Sequence, residues 1–461
     1  MLRHIFFPIH VKLRKTLLVS LLLITLIFGF STSLTGQLMT PRLLAGDPVQ
    51  CSWCGHKGKI RRFLSQLSAN NSMEQPIDDF MTKTETNSLT HVGIVGGGLA
   101  GLSTAFHLLQ RQPTLDITIL DVTSGPGEGG ASSVAGGLLH PLSPRGKLVY
   151  MGLEGLASTN RLIQVARQFA PECVLREDLY RVALDEKQRD TLRGTAEALP
   201  HLTKWIDDTN KEAPKEWESL NLSEERVLGA LKMHNGCKVI HVPSYLSGLW
   251  DACQSTGSGS KAWVQDQTLS ETSTSEWKSR LSGFDCVVFS GGAGMFQSSV
   301  LGNDNELPIQ LVRGQSIEMT VSSNQLKNAL LGGKYVSPML EPDKILVGAT
   351  HEFREEPLSQ SDVVKELKDR SYAFCSTLWD HGSIDRITSG SRVQSQRGRY
   401  GRLPIIGRIK CPHHSNSWIF TGLSSRGILY HGIYGDALSG SILGQDNVDR
   451  LRHLDVEWWK K

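Results

Sequence analysis

The sequence predicts an α/β protein with more than one domain, on the basis of three observations. A short apolar run, a glycine-rich turn and a helical pattern follow one another from His91. A second apolar run, Ile117–Leu120, ends in the acidic residue Asp121. A third run, Val287–Phe289, again leads into glycines. Strands and helices that alternate in this way favour a parallel sheet covered by helices.

The predicted elements are placed by their spacing of apolar residues. His91–Val95 is the first strand, Leu99–Gln110 the first helix and Ile117–Leu120 the second strand, and together they form a β-α-β unit. The later segments are separated by insertions. Helical patterns cover residues 152–169 and 361–378, and β-rich stretches cover residues 315–321 and 344–348.

Composition sets limits on the class of protein. The length of 461 residues predicts two or three domains once any presequence is removed. The 49 Lys and Arg residues against 46 Asp and Glu leave a net charge of +3, which is too small to predict a surface coated by nucleic acid. The eight cysteines lack the dense, regular spacing of a disulfide scaffold. Cys51 and Cys54 form a lone CxxC, which we interpret as two unpaired thiols, so no metal site is predicted.

The amino-terminal segment has the composition of a presequence. The first acidic residue is Asp47, and five Lys or Arg residues precede it. The apolar run 17–30 contains 14 residues, fewer than the roughly 20 needed to cross a bilayer. We therefore expect a transit peptide over residues 1–46, a linker over 47–88, localisation in a chloroplast or mitochondrion, and no stable membrane span in the mature form. A secretory signal peptide or a signal anchor is the alternative.

The glycine-rich turn has the spacing of a dinucleotide-binding fingerprint. Gly96, Gly98 and Gly101 form GxGxxG between a strand and a helix, and Asp121 follows 20 residues after the last glycine. The glycines allow a tight turn, close approach of a diphosphate and close packing of helix on strand. The carboxylate is placed to bind ribose hydroxyls, which disfavours NADP. The predicted contacts with the dinucleotide are Gly96, Gly98, Leu99, Ala100, Gly101 and Asp121.

Three further segments carry a resemblance to a known family. Gly129–Gly137 is rich in small residues, Gly390-Ser391-Arg392 precedes the run RLPIIG at residues 402–407, and GLSSRG at 422–427 opens the last helical pattern. With GGGLAG, these segments resemble the D-amino-acid oxidase superfamily of FAD-dependent enzymes, over about residues 91–443. The resemblance implies a Rossmann-like FAD-binding domain and a substrate domain built on an antiparallel sheet. It adds these candidate cofactor-binding residues: Ala131, Ser132, Ser133, Gly292, Gly422, Ser424, Ser425 and Gly427.

Within the superfamily, four short segments are similar to the FAD domain of the bacterial bifunctional enzymes that make 5-methylaminomethyl-2-thiouridine in tRNA. They are GGLLHP at 136–141, VRGQ at 312–315, GAT at 348–350 and GLSSRG at 422–427. That domain removes a carboxymethyl group from a uridine side chain, and glycine oxidases are near relatives. The 90 residues before His91 are too few for the accompanying methyltransferase domain. Two substrates therefore stay open, a modified uridine in tRNA and a free N-substituted glycine.

The resemblance also implies a reaction and its residues. An oxidase of this class removes a hydride from the carbon next to nitrogen and reoxidises its flavin with molecular oxygen, and the resulting imine is hydrolysed. Arg392 lies at the position of the family's substrate-carboxylate arginine, where its guanidinium can bind in bidentate fashion. Arg426 and Tyr430 are the other catalytic candidates. Arg426 could add positive charge near the flavin or point outward, and the alternative for Tyr430 is packing and ordinary hydrogen bonding. No cysteine lies between Cys375 and Cys411, where the sarcosine-oxidase branch tethers its flavin, so non-covalent FAD is expected.

Residues 386–435 contain eight Lys or Arg residues and no Asp or Glu. Within them, Arg397–Arg402 forms a basic stretch with one aromatic residue, Tyr400. Such a loop suits phosphate contacts with a nucleic acid, but the pattern slightly favours a solvated loop whose charge attracts small anionic substrates. A NAD-linked dehydrogenase and a flavin-binding protein without turnover are the rival functions.

The resemblance also predicts the division of the chain. The FAD-binding domain is expected from residues 89–155, 235–305 and 385–446, and the substrate domain from residues 156–234 and 306–384. Residues 447–461 form a predicted carboxy-terminal tail.

Overall fold

The computed structural model describes residues 89–207, 214–220, 222, 226–269, 274–296, 300–301, 307–322, 328–354, 356–445 and 458–460. The chain divides into two units, Met1–Thr84 and Glu85–Lys461, and the first lies outside the described residues. The predicted presequence, the linker and the Cys51/Cys54 pair therefore lie outside them as well.

The described elements alternate between strands and helices. The strands are β1 (His91–Val95), β2 (Asp116–Asp121), β3 (Leu138–Leu139), β4 (Val174–Arg176), β5 (Leu179–Val182), β6 (Thr203–Ile206), β7 (Ala230–Met233), β8 (Lys238–Ile240), β9 (Lys261–Gln265), β10 (Cys286–Phe289), β11 (Ile309–Thr320), β12 (Leu330–Leu331), β13 (Tyr335–Pro338), β14 (Lys344–Gly348), β15 (Ser383–Ser395), β16 (Ile405–Ile409) and β17 (Ser417–Thr421). The helices are α1 (Leu99–Arg111), α2 (Gly130–Ser133), α3 (Gly152–Ala166), α4 (Glu186–Ala198), α5 (Pro214–Ser219), α6 (Val242–Ser255), α7 (Thr274–Leu281), α8 (Gln360–His381) and α9 (Gly427–Ile442).

The first sheet has six strands in the order β16-β17-β10-β1-β2-β9. Its strands run parallel except β16, which is antiparallel to β17. The central strands are buried on both faces, since Val92, Ile94, Ile117 and Val288 are fully inaccessible. This sheet places the carboxyl ends of β1, β2 and β10 along one edge, where open α/β sheets bind their ligands.

The second sheet has eight strands in the order β15-β11-β14-β13-β12-β5-β7-β6. Each pair of adjacent strands in this sheet is antiparallel except β12 and β5, which are parallel. The fold class predicted from the sequence is therefore confirmed: a parallel dinucleotide-type sheet and an antiparallel sheet. A third, three-stranded sheet has the order β3-β8-β4.

The described part of the predicted tail contacts the first sheet. The indole nitrogen of Trp458 donates to the Pro404 carbonyl at 2.9 Å, and that of Trp459 donates to the Ile406 carbonyl at 3.0 Å. Both bonds satisfy carbonyls at or beside β16, the edge strand. None of the described helices is both long enough and apolar enough to cross a bilayer.

Candidate active site

The glycine-rich turn between β1 and α1 is shaped by close backbone packing. Gly96 has φ of +98°, and a Cβ atom there would lie 2.3 Å from the Cα of Gly291. A Cβ atom on Gly101 would lie 2.0 Å from the Gly96 carbonyl oxygen. A Cβ atom on Gly98, by contrast, would meet only the Ser132 hydroxyl, at 3.2 Å. The first and third glycines are thus needed by the fold, whereas the second leaves space in front of the helix.

That space has the chemistry of a diphosphate site. Gly98 is the residue before α1, and no side chain caps the helix. The first amides of α1 therefore keep hydrogen-bonding capacity for an anion, and the helix dipole favours negative charge there. Ser132, in α2, lies on the opposite side of the gap from Gly98. Leu99 and Ala100 carry the next amides, and their contact with a bound dinucleotide stays a prediction.

Asp121 lies at the end of β2, beside the turn. One carboxylate oxygen accepts from the Gly97 amide at 2.6 Å, and the other accepts from the Thr123 amide at 2.9 Å and hydroxyl at 2.8 Å. Three bonds leave part of the acceptor capacity of the carboxylate for ribose hydroxyls. The same three bonds orient the carboxylate, and the residue is partly buried.

Two further predicted cofactor contacts, Ser133 and Gly292, lie along the same edge, next to Gly130. Gly130 has φ of +64° and Gly292 has φ of +57°, and a Cβ atom on either would meet nothing within 4 Å. The Ser133 hydroxyl donates to the Gly130 carbonyl at 3.0 Å, which closes α2 on itself. The edge is therefore bordered by backbone with open space in front of it, as an extended cofactor requires.

The turn at residues 422–427 joins this edge to the second sheet. The Ser424 amide donates to the Val393 carbonyl of β15 at 3.0 Å, and its hydroxyl accepts from the Ser395 amide at 3.3 Å. Gly427 lies at the start of α9, and a Cβ atom added to it would lie 3.3 Å from the Leu99 side chain. The amino ends of α1 and α9 are thus neighbours, while the side chain of Ser425 is exposed. Gly422 adopts φ of +69° to make the turn.

Arg392 lies on β15, two residues after Gly390. Because side chains alternate along a strand, these two residues lie on the same face of the sheet. A Cβ atom on Gly390 would lie 2.6 Å from Val134 and 3.3 Å from the Cα of Ala131, so this face is turned toward α2. One terminal nitrogen of Arg392 donates to His351 Nδ1 at 2.7 Å, and its buried Nε has no hydrogen-bond partner. No carboxylate among the described residues pairs with it.

Burial lowers the pKa of Arg392, and the nearby Tyr335 opposes the shift. Burial is also the main cause that lowers the pKa of His351, followed by the charge of Arg392. His351 is therefore neutral at pH 7 and can accept the hydrogen bond. The pKa of Tyr335 is raised by burial, and its hydroxyl lies 3.2 Å from the Ser316 hydroxyl. The Arg392 cation and the neutral side chains of His351 and Tyr335 therefore face the same space.

Two residues on α9 have structural partners. The Tyr430 hydroxyl donates to the Tyr150 carbonyl at 2.6 Å, and burial raises the pKa of Tyr430 to about 12. His431 contacts the Tyr245 hydroxyl at 2.6 Å, and burial lowers its pKa to about 4. Both side chains fix α9 in place. Arg426 precedes α9, is partly buried and forms no ion pair with a described residue.

Glu352 is a buried carboxylate that anchors β11 beside the site. It accepts from the Thr350 hydroxyl, the Leu358 amide at 3.0 Å and the Gln315 side chain at 3.1 Å. Burial opposes its ionisation, but these hydrogen bonds outweigh burial and hold its pKa below the usual value. Its oxygens are therefore occupied, and Glu352 supports the position of Gln315. Within the described residues, no group of three or more His, Cys, Asp or Glu side chains is arranged to hold a metal ion.

Comparison with known proteins agrees with this geometry. The family model of FAD-dependent oxidoreductases, DAO, matches residues 91–440. A tRNA 5-methylaminomethyl-2-thiouridine biosynthesis bifunctional protein from Leptospira interrogans is 27% identical over 34% of this chain and 28% of its own length. The corresponding protein from Thiobacillus denitrificans is 24% identical over 77% of this chain and 56% of its own length. The chain thus spans between about a quarter and just over half of these curated relatives.

A solved structure shows the same fold. Glycine oxidase from Bacillus cereus superposes with a TM-score of 0.61 and 19% identity, over 79% of this chain and 98% of the oxidase. The space left by Gly98 and the free acceptor capacity of Asp121 fit the dinucleotide that the family model describes. The chain belongs to the DAO family of FAD-dependent oxidoreductases.

Proposed function

We propose that the protein is an oxidase of a secondary amine or amino acid that carries a carboxylate. The observation that carries this proposal is Arg392: a partly buried guanidinium, without a carboxylate partner in the described chain, on the sheet face turned toward α2. A buried cation without a counter-ion is costly, so an anionic ligand would stabilise it. The guanidinium fork matches a carboxylate in geometry and charge.

The chain's own residues then have distinct tasks. Bound FAD would supply the acceptor for a hydride from the carbon next to the substrate nitrogen, and molecular oxygen would reoxidise it. Gly98 and Asp121 would hold the dinucleotide, whereas the Gly96 amide is already bonded to the Leu120 carbonyl at 2.8 Å, so the predicted contact at Gly96 is limited to shaping the turn. Arg392 fixes the substrate carboxylate, and this matters because a misplacement of about 1 Å can reduce the rate on the order of 100-fold. The first amides of α9, which no side chain caps, could donate to negative charge that develops on the reduced flavin.

A nucleic-acid substrate is favoured by one further observation. Tyr400 of the basic stretch Arg397–Arg402 is 40% exposed and stacks on Tyr150, with ring centroids 4.2 Å apart and planes at 15°. Arg399 lies 5.2 Å above the Tyr400 ring. Aromatic and cationic groups together suit a nucleotide. The curated relatives are named for tRNA biosynthesis, so we propose a carboxymethylaminomethyl-uridine in tRNA as the substrate, with a free N-substituted glycine as the second candidate.

Anaerobic bleaching of the flavin tests both candidates. The purified protein is mixed with glycine, sarcosine, D-amino acids or undermodified tRNA, and absorbance is followed in the flavin bands. Bleaching by at least one of these amines is expected, and bleaching by tRNA alone would identify the nucleic acid as substrate. A yellow protein that none of them bleaches would contradict the proposal and indicate a flavin-binding protein without turnover.

A further inference from the structure

His351 contacts Arg392 directly, and the proposed chemistry gives this histidine no task. Its Nδ1 atom lies 2.7 Å from Nη2 of Arg392. A guanidinium has only N–H donors, so Nδ1 must be the acceptor, and the proton of the neutral ring must be on Nε2. The identity of its partner therefore fixes the tautomer of His351.

The backbone on both sides of His351 is attached to β11. The Thr350 amide donates to the Gln315 carbonyl at 2.9 Å, and Glu352 and Arg313 exchange two backbone hydrogen bonds of 2.9 Å each. The side chains of Thr350 and Glu352 are buried, and both bind Gln315. Because side chains alternate along an extended chain, His351 projects to the opposite side, where it meets Arg392.

A lysine holds the chain two residues before His351. The side chain of Lys334 is 7% exposed, and its ammonium group donates to the Ala349 carbonyl at 2.6 Å and to Glu366 of α8 at 2.7 Å. On the other side, the His351 ring meets the Phe353 ring edge to face, with centroids 4.8 Å apart. The imidazole acceptor is thus held in a defined position relative to the sheet.

The sheet beneath the Arg392 guanidinium carries no side chain that could bind it. Gly314 pairs with Gly390, so these two glycines and Arg392 lie on one face. A Cβ atom on Gly314 would lie 3.6 Å from Nη1 of Arg392. The glycines leave room for the guanidinium but do not orient it. Without the bond to His351, the substrate would have to order the arginine side chain itself, at a cost in conformational entropy.

We propose that His351 is a positioning residue, which holds the Arg392 guanidinium in the orientation that receives the substrate carboxylate. This inference rests on the proposed function and adds a second residue that determines carboxylate affinity. His351 uses one of the five N–H groups of Arg392, so four remain for a carboxylate. Burial, and then the charges of Arg392, Lys334 and Arg402, lower the pKa of His351 against the opposing charge of Glu366, so the accepting form is present at pH 7.

Calorimetric titration of the flavin-loaded protein with acetate at pH 7 tests this role, because acetate carries the carboxylate but no amine to oxidise. His351→Leu removes the acceptor, whereas His351→Asn can place its amide oxygen near the position of Nδ1. We expect His351→Leu to weaken acetate binding about tenfold and His351→Asn to stay within about threefold of wild type. The matched control is His381→Leu, at the exposed end of α8, which should bind acetate as the wild type does.

The same substitution in an Arg392→Lys background shows whether His351 acts through the guanidinium. His351→Leu should then weaken acetate binding much less than in the wild type, because the fork that it orients is already absent. An equal loss in both backgrounds would overturn the inference. Unchanged acetate binding in folded, yellow His351→Leu protein would also overturn it, and so would an equal loss in His351→Leu and His351→Asn, because the acceptor would then not be the cause.

Failure of the proposed function gives a different result. If the wild type binds acetate but no amine bleaches its flavin, the oxidase is contradicted, and the comparison of variants still decides the role of His351. If amines bleach the flavin but His351→Leu binds acetate like the wild type, only the inference is contradicted. A wild-type protein that does not bind acetate would contradict both.

Discussion

In the proposed function, Arg392 is the residue on which substrate recognition depends. Replacing it with lysine keeps the charge but removes the planar fork that binds a carboxylate through two hydrogen bonds. Loss of such a bond costs up to about 3 kcal/mol. We therefore expect Arg392→Lys to lower kcat/KM for a carboxylate-bearing amine about 100-fold, as measured by steady-state oxygen consumption.

The matched control lies on the same strand. The side chain of Arg386 is 69% exposed and pairs with Glu318 at the surface. Exposed pairs of this kind contribute little to stability. Arg386→Lys should leave kcat/KM within about twofold of wild type. If both variants lost activity, or if neither did, the proposed role of Arg392 would be contradicted.

Some residues near Arg392 could be predicted from the sequence, and others could not. Arg392 could be predicted as a substrate-binding residue because it lies in a recognisable Gly-x-Arg segment. Tyr335 and His351 could not, because they reach Arg392 only through the pairing of β13 with β14 and the chain that follows β14. Such pairing leaves no local pattern in the sequence.

At the scale of elements, the glycine-rich turn separates the demands of folding from those of cofactor binding. A Cβ atom at position 98 would meet only the Ser132 hydroxyl, at 3.2 Å, so Gly98→Val would place its side chain in the space in front of α1. We expect a folded variant, by circular dichroism, that binds FAD at least about tenfold more weakly, equivalent to about 1.4 kcal/mol.

Two variants serve as comparisons. Gly96→Val places a side chain at φ of +98° and against the Gly291 backbone, so it should fail to fold. A Cβ atom at position 283 would meet nothing within 4 Å, so Gly283→Val should bind FAD as the wild type does. Unchanged FAD affinity in Gly98→Val, measured by fluorescence titration, would place the diphosphate elsewhere.

The elements themselves were partly predictable. The helix predicted from Leu99 was confirmed as α1, and the strand predicted at Val287 was confirmed as β10, because buried runs beside glycines have a strong local signal. The β-rich stretch at 315–321 is only part of β11, which begins at Ile309. The early residues of β11 alternate poorly between buried and exposed, so they lacked the period of a strand.

For the molecule as a whole, buried histidines link stability to pH. Burial lowers the pKa of His107 and His431 to about 4 and that of His140 to about 3, from a usual value of 6.5. The unfolded chain therefore binds protons below pH 6.5 that the folded chain does not, and stability falls as the pH drops from 6.5 toward 4. A shift of this size corresponds to about 3 kcal/mol for one histidine.

Urea unfolding at pH 7 and pH 5 measures this effect. We expect a lower free energy of unfolding at pH 5, and a smaller difference between the two values in His431→Gln, which keeps a polar side chain beside Tyr245. A free energy of unfolding that rises toward pH 5 would show that these histidines are protonated in the folded protein.

The large-scale organisation could be predicted only through resemblance. The two sheet types follow from the family, whereas apolar periodicity alone does not group distant segments into one sheet. The domain boundaries stay a prediction, and so does an organellar location, since the predicted presequence lies outside the described residues. A reporter protein fused to residues 1–88 would show in which compartment that segment places its cargo.

The central claim is that the edge formed by β1, β2 and β10 holds FAD without a covalent bond. The most direct measurement is the absorbance spectrum of the purified protein, followed by acid precipitation and chromatography of the released cofactor. We predict flavin bands in the folded protein and free FAD in the supernatant. A protein that stays colourless after incubation with FAD would contradict the account, and flavin that stays with the precipitate would contradict the non-covalent attachment.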